Sequence, residues 1–316
     1  MHLGNYLGAL KPWVKHQHDR ENIFCVVDLH ALTVPEAVDP AALRAGSRRM
    51  AAMFLAAGID PEVSSIFIQS TVREHTELAW VLNCVTPLGW LERMTQFKSK
   101  SEGRASVGTG LLDYPVLQAA DILLYQTQVV PVGEDQRQHI ELAADIAQRF
   151  NHMFGDVFTI PELSLPPAGA RVMGLDDPLV KMSKSIGEAR PNHMVAMLEP
   201  LKQIEKKIMR AVTDGGTELR ADALSPGLVN LIGILSAITG ESTDAIVGRF
   251  EGKGYGYLKK AVAEAVVAEV EPVQARFERL VGEEGYLDGI LERSAGRVRE
   301  VAAGTMGRVR EAVGIR

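Results

Sequence analysis

Cysteine is nearly missing from this chain. Only Cys25 and Cys84 occur in 316 residues, too few for a Cys/His zinc site or a disulfide framework. Both are expected as buried thiols, Cys25 inside an apolar run and Cys84 at the end of a helical pattern. Long apolar runs are missing too. No stretch approaches the ~20 residues of a membrane span, and residues 1–20 lack the apolar block of a signal peptide. The expectation is a cytoplasmic protein without a membrane partner. Positive charge is not in excess: the net charge of −6 argues against nonspecific coating of nucleic acid, while leaving room for a local basic face. No Gly-x-Ser-x-Gly turn and no Walker-type loop is present. What remains is an ordinary globular composition, 46% hydrophobic and 23% charged, on a chain long enough for two domains.

Periodicity organises the first part of the chain as an α/β protein. Leu3, Tyr6, Leu7, Leu10, Trp13 and Val14 predict a helix over 3–18. The run 23–27, ending at Asp28, predicts a strand buried on both faces. Asp39 and Pro40 open a helix that Gly58 closes. A second strand over 65–68, a helix over 74–84, a polar loop over 98–110, a helix over 114–125 and a strand over 129–132 follow. Gly133 to Phe150 starts as a loop and becomes a helix. Buried strands alternating with amphipathic helices predict a Rossmann-like parallel sheet. Beyond Pro191 only helical patterns recur, at 204–212, 228–239, 258–270, 273–281 and 298–313. The predicted organisation is therefore an α/β domain over 1–190 and a helical domain over 191–316.

Several patches carry candidate chemistry. His2-Leu3-Gly4-Asn5 opens a helix, where backbone N–H groups and the dipole favour phosphate. His2 is a candidate donor to a phosphate oxygen, and Gly4 allows close approach. Lys181-Met182-Ser183-Lys184-Ser185 places two lysines around small hydroxyl residues in a loop, an arrangement able to meet charge that develops on a triphosphate. Gly133-Glu134-Asp135-Gln136 lies between a strand and a helix, where parallel sheets bind ligands. Asp135 is either a ribose acceptor there or, with Gln138, a capping box. Tyr114, Gln118 and Asp121 share one helical face. Asp121 sits among apolar neighbours and needs a partner, either an arginine or a ligand N–H or O–H. His30 follows a strand and reads by itself as a structural histidine.

These residues together resemble one family, the bacterial tryptophanyl-tRNA synthetases of class I. The likeness covers essentially the whole chain. It rests on Gly4 to Leu10, Val27-Asp28-Leu29-His30-Ala31, Arg93 to Lys98, Tyr114 to Asp121, Val130 to Gln136 and Lys181 to Ser185. The lysine block and the His-x-Gly-x block are general to class I, whereas Val130 to Gln136 and Met94 to Lys98 are specific to the tryptophan enzymes. The resemblance implies a tryptophan–tRNA ligase that uses ATP with Mg2+, pairs with tRNA(Trp) and forms a homodimer. It places His2, Gly4 and Asn5 at ATP, with Lys181, Met182, Ser183 and Lys184 as the phosphate loop. Lys100 is a further phosphate contact, and Gly133 and Asp135 meet adenosine. Asp121 accepts from the indole N–H. Tyr114, Gln118, Gln136 and His30 hold the amino and carboxylate groups, and Val130 and Val132 line the indole pocket. Lys181, Lys184, Ser183, His2 and Lys100 are the implied catalytic set. The helical domain carries anticodon recognition, with Arg293, Arg297, Arg299, Arg308 and Arg310 available to RNA phosphates. Cys84, Val85, Leu88, Trp90, Leu91, Met94 and Phe97 compose the expected dimer interface.

Two features depart from the family. Relatives carry a first strand and a Gly-containing turn ahead of the His-x-Gly-x patch, which here lies at residues 2–5. A parallel sheet without that central strand is expected to leave unpaired ladder groups and to lose activity and stability against a chain that carries it. The alternative reading is accordingly a truncated or repurposed paralogue that binds tryptophan and ATP with little or no catalysis. A different enzyme class, a small-molecule adenylyltransferase, would not need the helical domain. Ile186 stands where many relatives have Asp, a tolerated variation.

Overall fold

The computed structural model describes residues 1–103, 106–165 and 171–316. Residues 104–105 of the polar loop lie outside the described residues. In chain order the helices are α1 Leu3–Asn5, α2 Lys11–His16, α3 Pro40–Ala57, α4 Glu74–Val85, α5 Leu88–Glu92, α6 Thr95–Ser101, α7 Thr109–Leu123, α8 Arg137–Phe154, α9 Lys184–Ala189, α10 Leu201–Met209, α11 Pro226–Thr239, α12 Thr243–Phe250, α13 Tyr255–Gly282 and α14 Glu284–Val313. The strands are β1 Asn22–Val26, β2 Ser64–Ile68, β3 Val129–Pro131 and β4 Glu162–Ser164. The start of the predicted polar loop is thus helical, since α6 runs on to Ser101. The two helices predicted over 258–281 are one, with Pro272 inside it. The short strand β4 and helix α12 carry too little periodicity to be seen in advance.

The predicted first helix is continuous but changes register. Between α1 and α2 lies a π turn, Tyr6–Leu10, closed by the Lys11 N–H on the Tyr6 carbonyl. Pro12 supplies the reason: it has no N–H for the Gly8 carbonyl and its ring would collide with that carbonyl in an α turn. Asp39 caps α3 as expected, its Oδ1 accepting from the Ala42 N–H at 2.7 Å. Gly58 ends it with φ +115°, a conformation that side chains disfavour.

The chain forms two compact units, each assembled from separate segments. One contains Met1–His18, Ala56–Ile59 and Pro166–Gly282; the other contains Asp19–Leu55, Asp60–Leu165 and Glu283–Arg316. Among the described residues the last strand ends at Ser164, and the compact units do not divide near residue 190. Helix α14 is one reason, since it belongs to the unit that holds the strands. Leu287, Ile290, Ala295, Val298, Ala302, Met306 and Val309 form its buried stripe, and the last five of these join the core that holds Phe67, Leu82 and Leu123.

All four strands belong to this second unit. They form two parallel pairs, β1 with β2 and β3 with β4. Among the described residues no strand pairs the other edge of β1 or joins it to β3, so the sheet stands in two pieces. Ile23, Phe24 and Cys25 are accordingly half-buried rather than enclosed on both faces. The thiols differ from expectation in the same direction: both are free, but Cys25 is half-buried and Cys84 is exposed on α4.

Arginines of α14 staple it to its own unit. Arg310 makes a bidentate pair with Glu77 at 2.7 and 2.6 Å. Arg297 donates to the Pro61 carbonyl at 2.7 Å, and Arg299 to the Thr71 carbonyl and to Glu292. Arg308 bonds Thr305. Four of the five guanidinium groups expected to face RNA thus have partners within the fold, because planar forks satisfy carboxylates and carbonyls at close range.

Candidate functional site

The predicted residues fall into two groups, one in each unit. The first unit holds His2, Gly4, Asn5 and the lysine loop. His2 caps α1: its Nδ1 accepts from the Asn5 N–H at 3.3 Å, while the Asn5 side chain accepts from the His2 N–H at 3.4 Å. With Nδ1 an acceptor, the ring proton of the neutral imidazole sits on Nε2. Burial lowers the His2 pKa to about 4, with help from the positive Met1 amino group, Lys181 and His193. The ring is therefore a neutral donor near pH 7. Gly4 serves this ring directly, since a Cβ there would lie 3.1 Å from His2 Cε1 and Nδ1. The patch is tied to segment 195–197 by the Leu3 N–H on the Val195 carbonyl, 2.8 Å.

The lysine loop is held at its base and open at its lysines. Met182 is 1% exposed and its N–H donates to the Val172 carbonyl. It anchors the loop in the core, so its side chain is not placed as a ligand contact. Lys181 and Lys184 on either side of it are exposed. Lys184 pairs weakly with Glu188 at 3.7 Å. Ser183 Oγ is buried with no hydrogen-bond partner among the described residues. A residue that sequence reasoning missed holds this loop. His193, fully buried, approaches Asp176 Oδ1 through Nδ1 at 2.6 Å and the Lys181 carbonyl through Nε2 at 3.2 Å. Asp176 also accepts from Arg190. Burial raises the Asp176 carboxyl, but the bonds from His193 and Arg190 outweigh it and hold it below the usual range. Gly174 makes room for the His193 ring.

The second unit holds the remaining predicted residues. Asp121 on α7 is half-buried and has three internal donors: His75 Nδ1 at 2.7 Å and Gln69 Nε2 at 2.6 Å on Oδ1, and His30 Nε2 at 2.9 Å on Oδ2. Among the described residues no arginine is involved. Burial raises this carboxyl, but the bonds from His30 and His75 prevail, leaving its pKa lowered. His30 is thereby placed against Asp121, a contact the resemblance did not give it. His75 and Gln69 were missed, because nothing near them in sequence marks them.

Tyr114 stands one turn before Gln118 on the same helix. Its hydroxyl meets Gln96 Oε1 at 3.1 Å and His139 Nε2 at 2.9 Å, and the Lys100 ammonium lies 5.2 Å from its ring centroid. Gln118 makes no side-chain hydrogen bond among the described residues. Gln136 donates to Asp135 Oδ2 at 3.1 Å. The capping box of Asp135 with Gln138 does not form: Gln136 is the N-cap of α8, and Gln138 accepts instead from Thr95. Gly133 makes room for Asp135, whose Oδ1 would lie 2.8 Å from a Cβ there. Val130 and Val132 are partly buried against the core. A cavity of about 900 Å3 beyond β1 and β2 is lined by Leu32, Leu43, Ile68 and Leu291, with none of the predicted site residues. Its one strand-end carboxylate, Asp28, is already occupied by the Ser70 N–H and hydroxyl.

A Rossmann-like α/β fold with a lysine loop of this sequence defines a class of nucleotide-binding proteins. The chain belongs to the class I tRNA synthetases (W and Y), whose family model matches residues 1–271. It is 50% identical over 316 residues to the tryptophan–tRNA ligase of Wolinella succinogenes, covering 100% of this chain and 95% of the relative. It is 48% identical to the tryptophan–tRNA ligase of Gloeobacter violaceus, at 100% and 93% coverage. The crystal structure of Campylobacter jejuni tryptophanyl-tRNA synthetase complexed with ADP and tryptophan superposes with a TM-score of 0.86. That protein is 35% identical, and the match covers 100% of this chain and 96% of that one.

Proposed function

We infer that this chain is a tryptophan–tRNA ligase. A tryptophan carboxylate oxygen attacks the α-phosphorus of ATP, the bond to the β-phosphate breaks, and pyrophosphate leaves. A ribose hydroxyl of the terminal adenosine of tRNA(Trp) then attacks the tryptophanyl carbonyl and AMP leaves. The observation that carries this reading is identity near 50%, end to end, with curated tryptophan–tRNA ligases. Attack at phosphorus needs positioning and charge stabilisation rather than a covalent nucleophile.

The residue roles proposed are those the family resemblance implies, supported where noted by the groups each unit presents. In the first unit, His2 Nε2–H, Lys181, Lys184 and the unpartnered Ser183 hydroxyl are the proposed phosphate contacts, with Gly4 and Asn5 shaping the patch. In the second, Asp121 is the proposed acceptor for the indole N–H, beside Val130 and Val132. Tyr114, Gln118, Gln136 and His30 are assigned to the amino and carboxylate ends, Gly133 and Asp135 to adenosine, and Lys100 to phosphate. Among the described residues no three His, Cys, Asp or Glu side chains gather to hold a metal. Mg2+ is therefore proposed to arrive on the phosphates of ATP, which it would help neutralise while keeping several of its waters.

Support for tRNA binding comes from α10 and its C-cap, where Lys202, Lys206 and Arg210 are exposed at four-residue spacing beside a cleft that also includes Asn192 and Gln203. The helical region over 191–316 remains the proposed anticodon reader, and the cytoplasm the proposed compartment. No single helix among the described residues is long and apolar enough to cross a membrane.

A homodimer is proposed, through a face somewhat different from the expected one. Val85, Leu91 and Met94 belong to the core, while Trp80 is 71% and Leu88 58% exposed, with Cys84 exposed between them. Light scattering at micromolar concentration should give twice the chain mass, and Trp80→Glu with Leu88→Glu should give the single mass. A parent that scatters as a monomer rules the dimer out.

Pyrophosphate exchange with each amino acid tests the activity itself. Exchange with tryptophan alone is the expected result. Exchange with none of the amino acids would leave the ligase reading without support.

A further inference from the structure

Asp121 is surrounded by donors whose proton positions can be deduced one at a time. A carboxylate offers about four acceptor directions, two on each oxygen. Oδ1 receives both His75 and Gln69, while Oδ2 receives only His30 among the described residues. The Gln69 amide is fixed in orientation, because its Oε1 accepts the Leu29 N–H at 3.1 Å and its Nε2 must then face Asp121. Gln69 is fully buried. His75 is also fully buried, stacked on Phe67 with ring centroids 5.8 Å apart. Behind it, Tyr125 Oη lies 2.7 Å from His75 Nε2. Burial raises the Tyr125 phenol further above its ordinary range, so the phenol keeps its proton. Tyr125 donates to His75 Nε2, and the ring proton of His75 stays on Nδ1, aimed at Asp121.

We propose that His75, set in this tautomer by Tyr125, and Gln69 are positioning residues that keep Asp121 acceptor-only, with one lone-pair direction left on Oδ2 for a ring N–H of the substrate. The inference rests on the reading of Asp121 as the indole acceptor. It adds the source of selectivity. With every neighbour donating, the carboxylate cannot turn donor itself. A ring without an N–H leaves the last lone pair unpaired in a half-buried site, and sites built to bond a polar substrate group reject analogues lacking it by about 10⁴–10⁵.

The experiment compares L-tryptophan with its analogue in which sulfur replaces the indole N–H, β-(benzothiophen-3-yl)alanine. Pyrophosphate exchange and melting are measured on the full chain and on His75→Phe, Tyr125→Phe and Asp121→Asn. His75→Phe keeps a ring on Phe67 but removes the donor. We expect its kcat/KM for tryptophan to fall about 10–100-fold, as for loss of a hydrogen bond to a charged group, with the KM for ATP unchanged. Its preference for tryptophan over the analogue should fall at least about tenfold. Tyr125→Phe frees the proton to move to Nε2 and should shift the same ratio in the same direction, about three- to tenfold, since a wrong tautomer breaks the geometry. A purely structural role would lower melting and affect both amino acids alike. A folded His75→Phe with the parental preference overturns the proposal; if that variant does not fold, the preference of Tyr125→Phe decides in its place. Should Asp121→Asn lose the preference while both ring variants keep it, the positioning role fails and the acceptor reading stands. Should Asp121→Asn itself keep the parental preference, the acceptor reading fails and the proposal with it.

Discussion

Lys181→Ala and Lys184→Ala are each expected to slow formation of tryptophanyl-adenylate by about 30- to 1,000-fold, the equivalent of ~2–4 kcal/mol of transition-state stabilisation. Both ammonium groups are exposed, Lys181 on the loop and Lys184 at the first position of α9, and neither supports the fold. Lys184 has only a long, solvent-exposed pair with Glu188 at 3.7 Å, an interaction worth about 0.3–0.5 kcal/mol at most. Stability should therefore change by no more than about 0.5 kcal/mol. The loop itself stays in place, because Met182 is buried and its N–H is bonded to Val172. Loss of rate without loss of fold or of tryptophan affinity is the signature of groups that act when charge develops on the phosphates. Single-turnover measurements with saturating ATP check this. Rates within a factor of two of the parent for both variants would remove the lysines from the mechanism.

Gly174→Ala is expected to damage the same loop from below. A Cβ at residue 174 would lie 2.2 Å from His193 Cε1, 2.4 Å from Nδ1 and 3.0 Å from the Asp177 carbonyl. His193 is fully buried and cannot swing into solvent. The ring must leave Asp176 and the Lys181 carbonyl, or the backbone must move. Overpacking of this kind costs about 1–3 kcal/mol, and a lost hydrogen bond to a charged group adds about 1.5–3 kcal/mol. A fall in melting temperature of several degrees should accompany a slower adenylate step. Gly233→Ala in α11 is the control, since nothing lies within 4 Å of its added Cβ; it should be neutral or gain up to about 1 kcal/mol. A Gly174→Ala protein that melts and turns over like the control would show that His193 does not hold the loop.

Local pattern carried much of the architecture. The cap at Asp39, the stop at Gly58 and the parallel strands over 22–26 and 64–68 follow from rules that act within a few residues. The lysine loop was equally legible as a motif, but the burial of Met182 between its two exposed lysines was not. The same rules failed where a second element decides. The second half of α14, over 298–313, was visible as a helical pattern, but not its first half or the strand and helices it would cover. That choice gave Arg297, Arg299 and Arg310 partners within the fold, which their sequence positions do not announce. The Asp135–Gln138 capping box fits local spacing, yet Thr95, on another helix, captured Gln138 instead.

The chain's order of residues alone therefore determined the element types, the lysine loop, the acidic position at Asp121 and the family to which these belong. Only the tertiary structure decided what surrounds them. Gln69 and His75 reach Asp121 across 52 and 46 residues, and His30 across 91. Periodicity states which face of a helix is buried, whereas the partner of a buried carboxylate is set by the packing of other elements around it. Directional bonds over such separations form only after those elements have packed, so the donors that hold Asp121 and the histidine that holds the lysine loop become visible only in the folded chain.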